Sequence, residues 1–123
     1  MNDWMPRFVG PNFVVNQEDV RRIDLVDGTF DYFYADRNRC FRARISEFRP
    51  DRPTGQTDRN GNMFYDRDIL QDSHGRKYRV HQSHNGLWLV IEIGYKEGGS
   101  DPLYAYQDCE ITGFVPYEEE TDV

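Results

Sequence analysis

The chain has 123 residues, of which 37% are hydrophobic and 15% aromatic, with a formal net charge of −7. That length suits one domain with one core, or one domain with a small extension, and the aromatic share leans toward β structure. An acidic chain is a poor general nucleic-acid binder, because phosphate repels it; the charge suits solubility or a basic partner.

No run approaches the roughly 20 apolar residues of a membrane span. The start, Met1-Asn2-Asp3-Trp4-Met5, lacks the basic and apolar regions of a signal peptide. No membrane association and a cytoplasmic location are therefore expected. Cys40 and Cys109 fit no metal or redox spacing and are expected as buried thiols rather than as a disulfide.

In chain order, Phe13 to Val15 is a short apolar piece, and Asn16 to Arg22 reads as a helical turn that Asn16 caps, with Glu18 and Asp19 at the positive end of its dipole. Arg22 to Val26 and Thr29 to Ala35 flank Asp27-Gly28, which predicts a two-residue hairpin. Its register pairs Leu25 with Phe30 and Ile23 with Tyr32, and leaves Asp24 opposite Asp31. Asp36 to Asn38 reads as a turn. Cys40 to Phe48 reads as a strand with Phe41, Ala43 and Ile45 on one side and Arg42, Arg44 and Ser46 on the other. Arg49-Pro50-Asp51-Arg52-Pro53 reads as an extended linker, because two prolines interrupt a ladder. It divides the chain into residues 1–49 and 50–123.

Beyond it, Met63 to Tyr65, Ile69 to Gln71 and Lys77 to Ser83 read as strands, and Asn60-Gly61 and Asn85-Gly86 both signal type I′ turns. The second turn predicts Val80 opposite Ile91, Tyr78 opposite Ile93, Gln82 opposite Leu89 and Arg79 opposite Glu92. Gly94 to Pro102 reads as an exposed loop, Tyr104 to Tyr106 and Glu110 to Val115 as the last strands, and Glu118 to Val123 as a frayed acidic tail. The sum is an all-β chain.

Thr54-Gly55, Asp58, Gly61, Tyr65, Asp66 and Asp68-Ile69-Leu70, followed by Asp108-Cys109-Glu110-Ile111-Thr112-Gly113-Phe114-Val115, resemble the two signature patches of the YopX family of small phage and prophage proteins. Residues 54–115 carry the likeness. Gln56 stands where that family usually has Leu, and Arg67 where Gly is typical, which suggests a wider bend before Asp68. The resemblance implies an SH3-like β-barrel for the second half, in a bacterial host cytoplasm; the residues before it carry no such likeness and read by their own pattern as an N-terminal antiparallel β extension. It implies no reaction. The signature residues read as structural: Thr54 and Asp58 bond turn amides, and Asp68 caps a turn that leads Ile69 and Leu70 into the core.

Several side chains carry potential chemistry. His74, His81 and His84 lie within eleven residues, a density that suits Zn²⁺, but a separation of three along a strand sends His81 and His84 to opposite faces. Asp66 and Asp68 could act as paired carboxylates or hold Mg²⁺. Each group has a simpler structural role, so no enzyme, metal or cofactor is expected.

Charge is uneven along the chain. Seven arginines lie between Arg37 and Arg59, whereas nine acids and one lysine follow from Glu92 onward. Arg37, Arg39, Arg42 and Arg44, with Tyr32 and Tyr34 near them, form a basic stripe with aromatics, a pattern suited to weak binding of single strands. The expected function is a non-enzymatic module that binds a host or phage protein, with homo-oligomers allowed. One alternative is an acidic inhibitor that mimics nucleic acid to block a host defence nuclease. Weak nucleic-acid binding through the stripe is another.

Overall fold

The computed structural model describes residues 5–34, 36–94 and 99–117, with the backbone alone at Asp36 and Arg37. Its strands form four antiparallel sheets, and the chain divides into two compact units. One runs up to Arg52 and includes Pro116 and Tyr117; the other is Pro53–Val115. The expected acidic tail and Tyr95 to Gly98 lie outside the described residues.

The first unit holds strands β1 (Arg7–Val9), β2 (Val14–Val15), β3 (Val20–Asp24), β4 (Thr29–Tyr34), β5 (Asp36–Arg44) and β6 (Arg49–Asp51). They make a β2-β1-β6 sheet and a β3-β4-β5 sheet. Phe8 of β1 stacks on Phe30 of β4 with ring centroids 3.9 Å apart. Phe48 meets Phe13 and Phe30 edge-on. Met5, Val15 and Val20 complete this core.

Several expectations for this unit are corrected. The presumed linker is strand β6, in which Pro50 pairs with Phe8. An edge strand tolerates proline, since the missing donor costs a ladder bond only where a neighbour needs it. The helical turn shrinks to a 3₁₀ turn, Gln17–Asp19, with no side-chain cap from Asn16. The turn expected at Asp36 to Asn38 is strand, and β5 stops at Arg44, before a 3₁₀ turn at Ile45–Glu47.

The β3–β4 connection spans Leu25 to Gly28 rather than Asp27-Gly28 alone. Asp24 Oδ1 accepts the amides of Val26 and Asp27, both at 3.0 Å, and so ends the strand early. Ile23 therefore faces Phe30, and Asp31 faces Arg22 instead of Asp24. Leu25, expected opposite Phe30, is 83% exposed at the tip.

The second unit holds β7 (Pro53–Thr57), β8 (Met63–Tyr65), β9 (Asp68–Gln71), β10 (Lys77–Gln82), β11 (Trp88–Glu92), β12 (Ser100–Pro102) and β13 (Glu110–Phe114). β7 and β8 pair alone, and the rest form an open sheet in the order β12-β11-β10-β9-β13. Phe64, Leu70, Tyr78, Val80, Val90, Leu103 and Cys109 form its core. Three elements differ from expectation: Pro53–Thr57 is strand where none was expected before Met63, Ser100–Pro102 is strand rather than loop, and Leu103–Tyr106 is a 3₁₀ turn rather than strand. Leu103 is fully buried and Tyr106 packs on the same core, a separation of three that suits a 3₁₀ turn and not a strand.

One loop design recurs three times in this unit. At Asp58, Asp72 and Ser83 the amide donates to the carbonyl four residues on, and the glycine three residues on donates back, all at 2.9–3.1 Å. Those glycines, Gly61, Gly75 and Gly86, have φ of 85°, 82° and 91°. The first residue's side chain accepts the remaining amides: Asp58 Oδ1 those of Asn60 and Asn62, Asp72 Oδ1 those of His74 and Arg76, Ser83 Oγ that of Leu87. This is a type I turn followed by a left-handed glycine, the usual three-residue hairpin.

The type I′ expectation fails because Asn60 and Asn85 keep negative φ. One extra loop residue moves the β10–β11 register by one, as period-two pairing requires. Val80 faces Val90, Tyr78 faces Glu92 and Gln82 faces Trp88, while Arg79 faces Ile91 rather than Glu92. At the next bend, Arg67 itself takes the left-handed conformation (φ 69°), so the turn stays tight without a glycine.

Candidate interaction surface

The alternation of β4 decides which side chains meet. Phe30 and Tyr32 point into the first unit's core, so Asp31 and Phe33 point outward. The pairing places Arg22 of β3 and Arg42 of β5 on either side of Asp31, and Cys40 opposite Phe33. Arg44, opposite Thr29, extends the same face toward the β3–β4 loop. Arg21, the extra residue of a bulge in β3, reaches across β4 to Cys40, with Nη1 3.7 Å from Sγ. The outer face therefore has arginines on both flanking strands and an aromatic ring on the central one.

Asp31 organises this face. Arg42 donates to it from Nε at 2.8 Å and from Nη2 at 3.4 Å. That hydrogen bond holds the Asp31 carboxyl below the usual carboxylate range against the opposing pull of burial, helped by the charges of Arg42, Arg22 and Arg21. The same contact raises the Arg42 guanidinium. Arg22 Nη2 lies 3.7 Å from Asp24 Oδ2. The Arg22 and Arg42 side chains are each 64% exposed, and Arg21 and Arg44 are exposed as well. Such pairs gain little in water and leave the guanidiniums able to exchange partners.

The structure regroups the stripe expected from sequence. Arg42 and Arg44 do share a face. Tyr32 and Tyr34 lie on the other one: Tyr32 packs against Phe13, Phe30 and Phe41, and Tyr34 against Phe13. Arg39 is exposed beyond the register shift that follows Phe33, and the Arg37 side chain lies outside the described residues. Phe33, Arg21 and Arg22 escaped the sequence reading. The signal for Phe33 was available, since it is the one aromatic in Phe30 to Tyr34 with odd parity relative to the core residue Phe30.

The other chemistry-bearing groups have local roles. Asp68 Oδ2 accepts the Tyr65 amide at 2.7 Å across the tight bend, and Asp66 pairs with Arg67 at 3.1 Å. Both carboxylates are buried. Leu70 enters the core, whereas Ile69, on the opposite face of β9, is only half-buried. Burial pushes His81 down, with Arg79 adding to the shift and Asp66 opposing it. His74 and His84 sit in separate exposed loops. Among the described residues no group of three His, Cys, Asp or Glu could hold a metal ion.

Both cysteines are free. Cys109 is buried, which raises its thiol, whereas Cys40 is exposed, contrary to expectation, because it lies on the outer face. A pocket of about 240 Å³ beside Tyr78 and Tyr106 has both hydroxyls engaged, one with Asp72 at 3.0 Å and one with Asp101 at 2.6 Å.

Sequence also missed an ionic cluster in the first unit. Asp51 is fully buried and receives Arg7 Nη2 at 2.7 Å, Arg49 Nε at 2.8 Å and Arg49 Nη2 at 3.1 Å. Arg49 Nη1 also donates to the Pro116 carbonyl at 3.2 Å, tying that residue to β6.

No helix among the described residues is long and apolar enough to cross a membrane. No protein-family model, curated protein or solved structure matches this chain.

Proposed function

We propose that this chain is a non-enzymatic macromolecule-binding module, an accessory protein of the phage or prophage kind that its YopX-like signature suggests, acting in the host cytoplasm. The observation that carries the reading is the gathering of Arg21, Arg22, Arg42 and Arg44 on one outer sheet face, with Asp24, Asp27 and Asp31 as the counter-charges near them among the described residues. A cationic sheet face favours a large anionic partner, either an acidic protein or a nucleic acid. The Pro53–Val115 unit is proposed to be an open variant of an SH3-like barrel; in support, Phe64 of the β7–β8 hairpin shares one core with Leu70, Val80 and Val90 of the five-stranded sheet.

The alternative of acidic mimicry has less support. Asp51, Asp58, Asp66 and Asp68 are buried, while Asp24 and Asp72 accept loop amides. Those carboxylates serve the fold and are poorly placed to stand in for phosphates.

The test is a pull-down from bacterial lysate at about 50 and 300 mM salt, comparing the wild type with an Arg22→Glu/Arg44→Glu variant. The reading expects a partner that the variant loses. A partner retained equally by both would overturn it.

A further inference from the structure

Building on that binding reading, we infer that the outer face of β3–β4–β5 is a platform for single-stranded nucleic acid, with Phe33 stacking on a base and the surrounding arginines meeting phosphates. Arg42 and Arg44 are two residues apart on β5, about 6.8 Å along the strand, and Arg22 lies two strands away, about 9.6 Å across the sheet. Phe33 sits on the central strand, one row beyond the Arg22–Asp31–Arg42 row. Arg22 and Arg42 therefore lie on the strands to either side of the half-buried Phe33 ring, one row along, with Arg44 a row further, which suits a strand whose phosphates run along the arginine rows and whose end base turns onto the ring. A duplex keeps its bases stacked on each other and offers Phe33 no free face. An acidic protein would satisfy the arginines and bury the ring as an ordinary apolar contact, and the poly-glutamate arm of the experiment distinguishes it.

The net charge of −7 does not decide the matter, because several of the carboxylates behind it are buried in turns and ion pairs of the fold. Asp31 already holds Arg42, which leaves about three arginines for phosphate contacts. Three contacts to a single strand give a logarithmic salt slope of about −2, or roughly a 40-fold loss of affinity between about 50 and 300 mM salt.

The experiment is fluorescence anisotropy of the full chain with fluorescein-labelled dT12 and rU12 across that salt range. The inference expects binding at low salt with a slope near −2, and a loss of roughly 5- to 150-fold for Phe33→Leu, which keeps apolar bulk but removes the stacking ring. Phe33→Trp, which keeps a ring, should bind like the wild type. Circular dichroism establishes that each variant is folded. Absence of binding to either oligonucleotide at low salt, or wild-type binding by folded Phe33→Leu, would overturn the inference. A poly-glutamate 12-mer that binds the wild type and not Arg22→Glu/Arg44→Glu, with no oligonucleotide binding, would also overturn it. That last result would leave the binding reading standing, and the lysate pull-down tests that reading separately.

Discussion

Replacing Asp51 by Ala removes a buried carboxylate that Arg7 and Arg49 share. The three side chains are among the least accessible charged groups described, with relative exposures of 10% for Arg7, 7% for Arg49 and 0% for Asp51. Removing one partner of a buried ionic cluster costs about 3–5 kcal/mol, because the guanidiniums stay largely buried while losing the carboxylate they share. For a chain of this size that corresponds to a fall in melting temperature of roughly 10–25 °C. Differential scanning calorimetry measures the fall, and amide exchange of β1 and β6 locates it. The same physics makes a second prediction: replacing all three by apolar residues (Arg7→Met, Arg49→Met, Asp51→Leu) should be far less harmful than the single substitution, since no charge is left buried. A loss below about 1 kcal/mol for Asp51→Ala would refute the claim that this cluster holds β6 against β1.

Other consequences follow from the loops and the core. Gly86→Ala places a Cβ at φ 91° and should cost about 1 kcal/mol in urea denaturation, although nothing lies within 4 Å of that Cβ. Gly10→Ala brings a Cβ to 2.6 Å from the Phe48 ring, where overpacking should cost about 1–3 kcal/mol. Asp24, Asp31, Asp58 and Asp72 all titrate below the ordinary aspartate value of 3.8. For Asp58 and Asp72 burial alone would push the carboxyl up, and the loop hydrogen bonds outweigh it. A lowered folded-state pKa stabilises the fold above the unfolded value and loses that effect as pH falls through the folded one. Thermal stability should therefore hold down to about pH 4 and decline below it. A melting temperature that rises on acidification from pH 4 to pH 2 would contradict this.

The all-β class was legible because turn residues punctuate short alternating segments throughout the chain. Register was less legible. Asn60-Gly61 and Asn85-Gly86 point to two-residue turns, yet the partners that decide the geometry are Asp58 and Ser83, whose side chains accept amides and add a residue to each loop. The fuller signal is Asp or Ser with Gly three residues later, and it also describes Asp72 with Gly75. Strands β1 and β6 were hidden for a different reason. Arg7, Arg49 and Asp51 look like surface residues, and only the fold shows that one carboxylate holds both guanidiniums in the interior. The arginine stripe was half visible. Period-two alternation groups Arg42 with Arg44, but proximity in sequence drew Tyr32 and Tyr34 to them, whereas the pleat selects Phe33.

The central claim is that the outer face of β3–β4–β5 is the contact surface. The most direct measurement is amide chemical-shift mapping of the ¹⁵N-labelled chain during titration with dT12. The account predicts shifts concentrated at Arg21, Arg22, Asp31, Phe33, Cys40, Arg42 and Arg44, diminishing as salt is raised. Shifts confined to the Pro53–Val115 unit, or none at low salt, would contradict it.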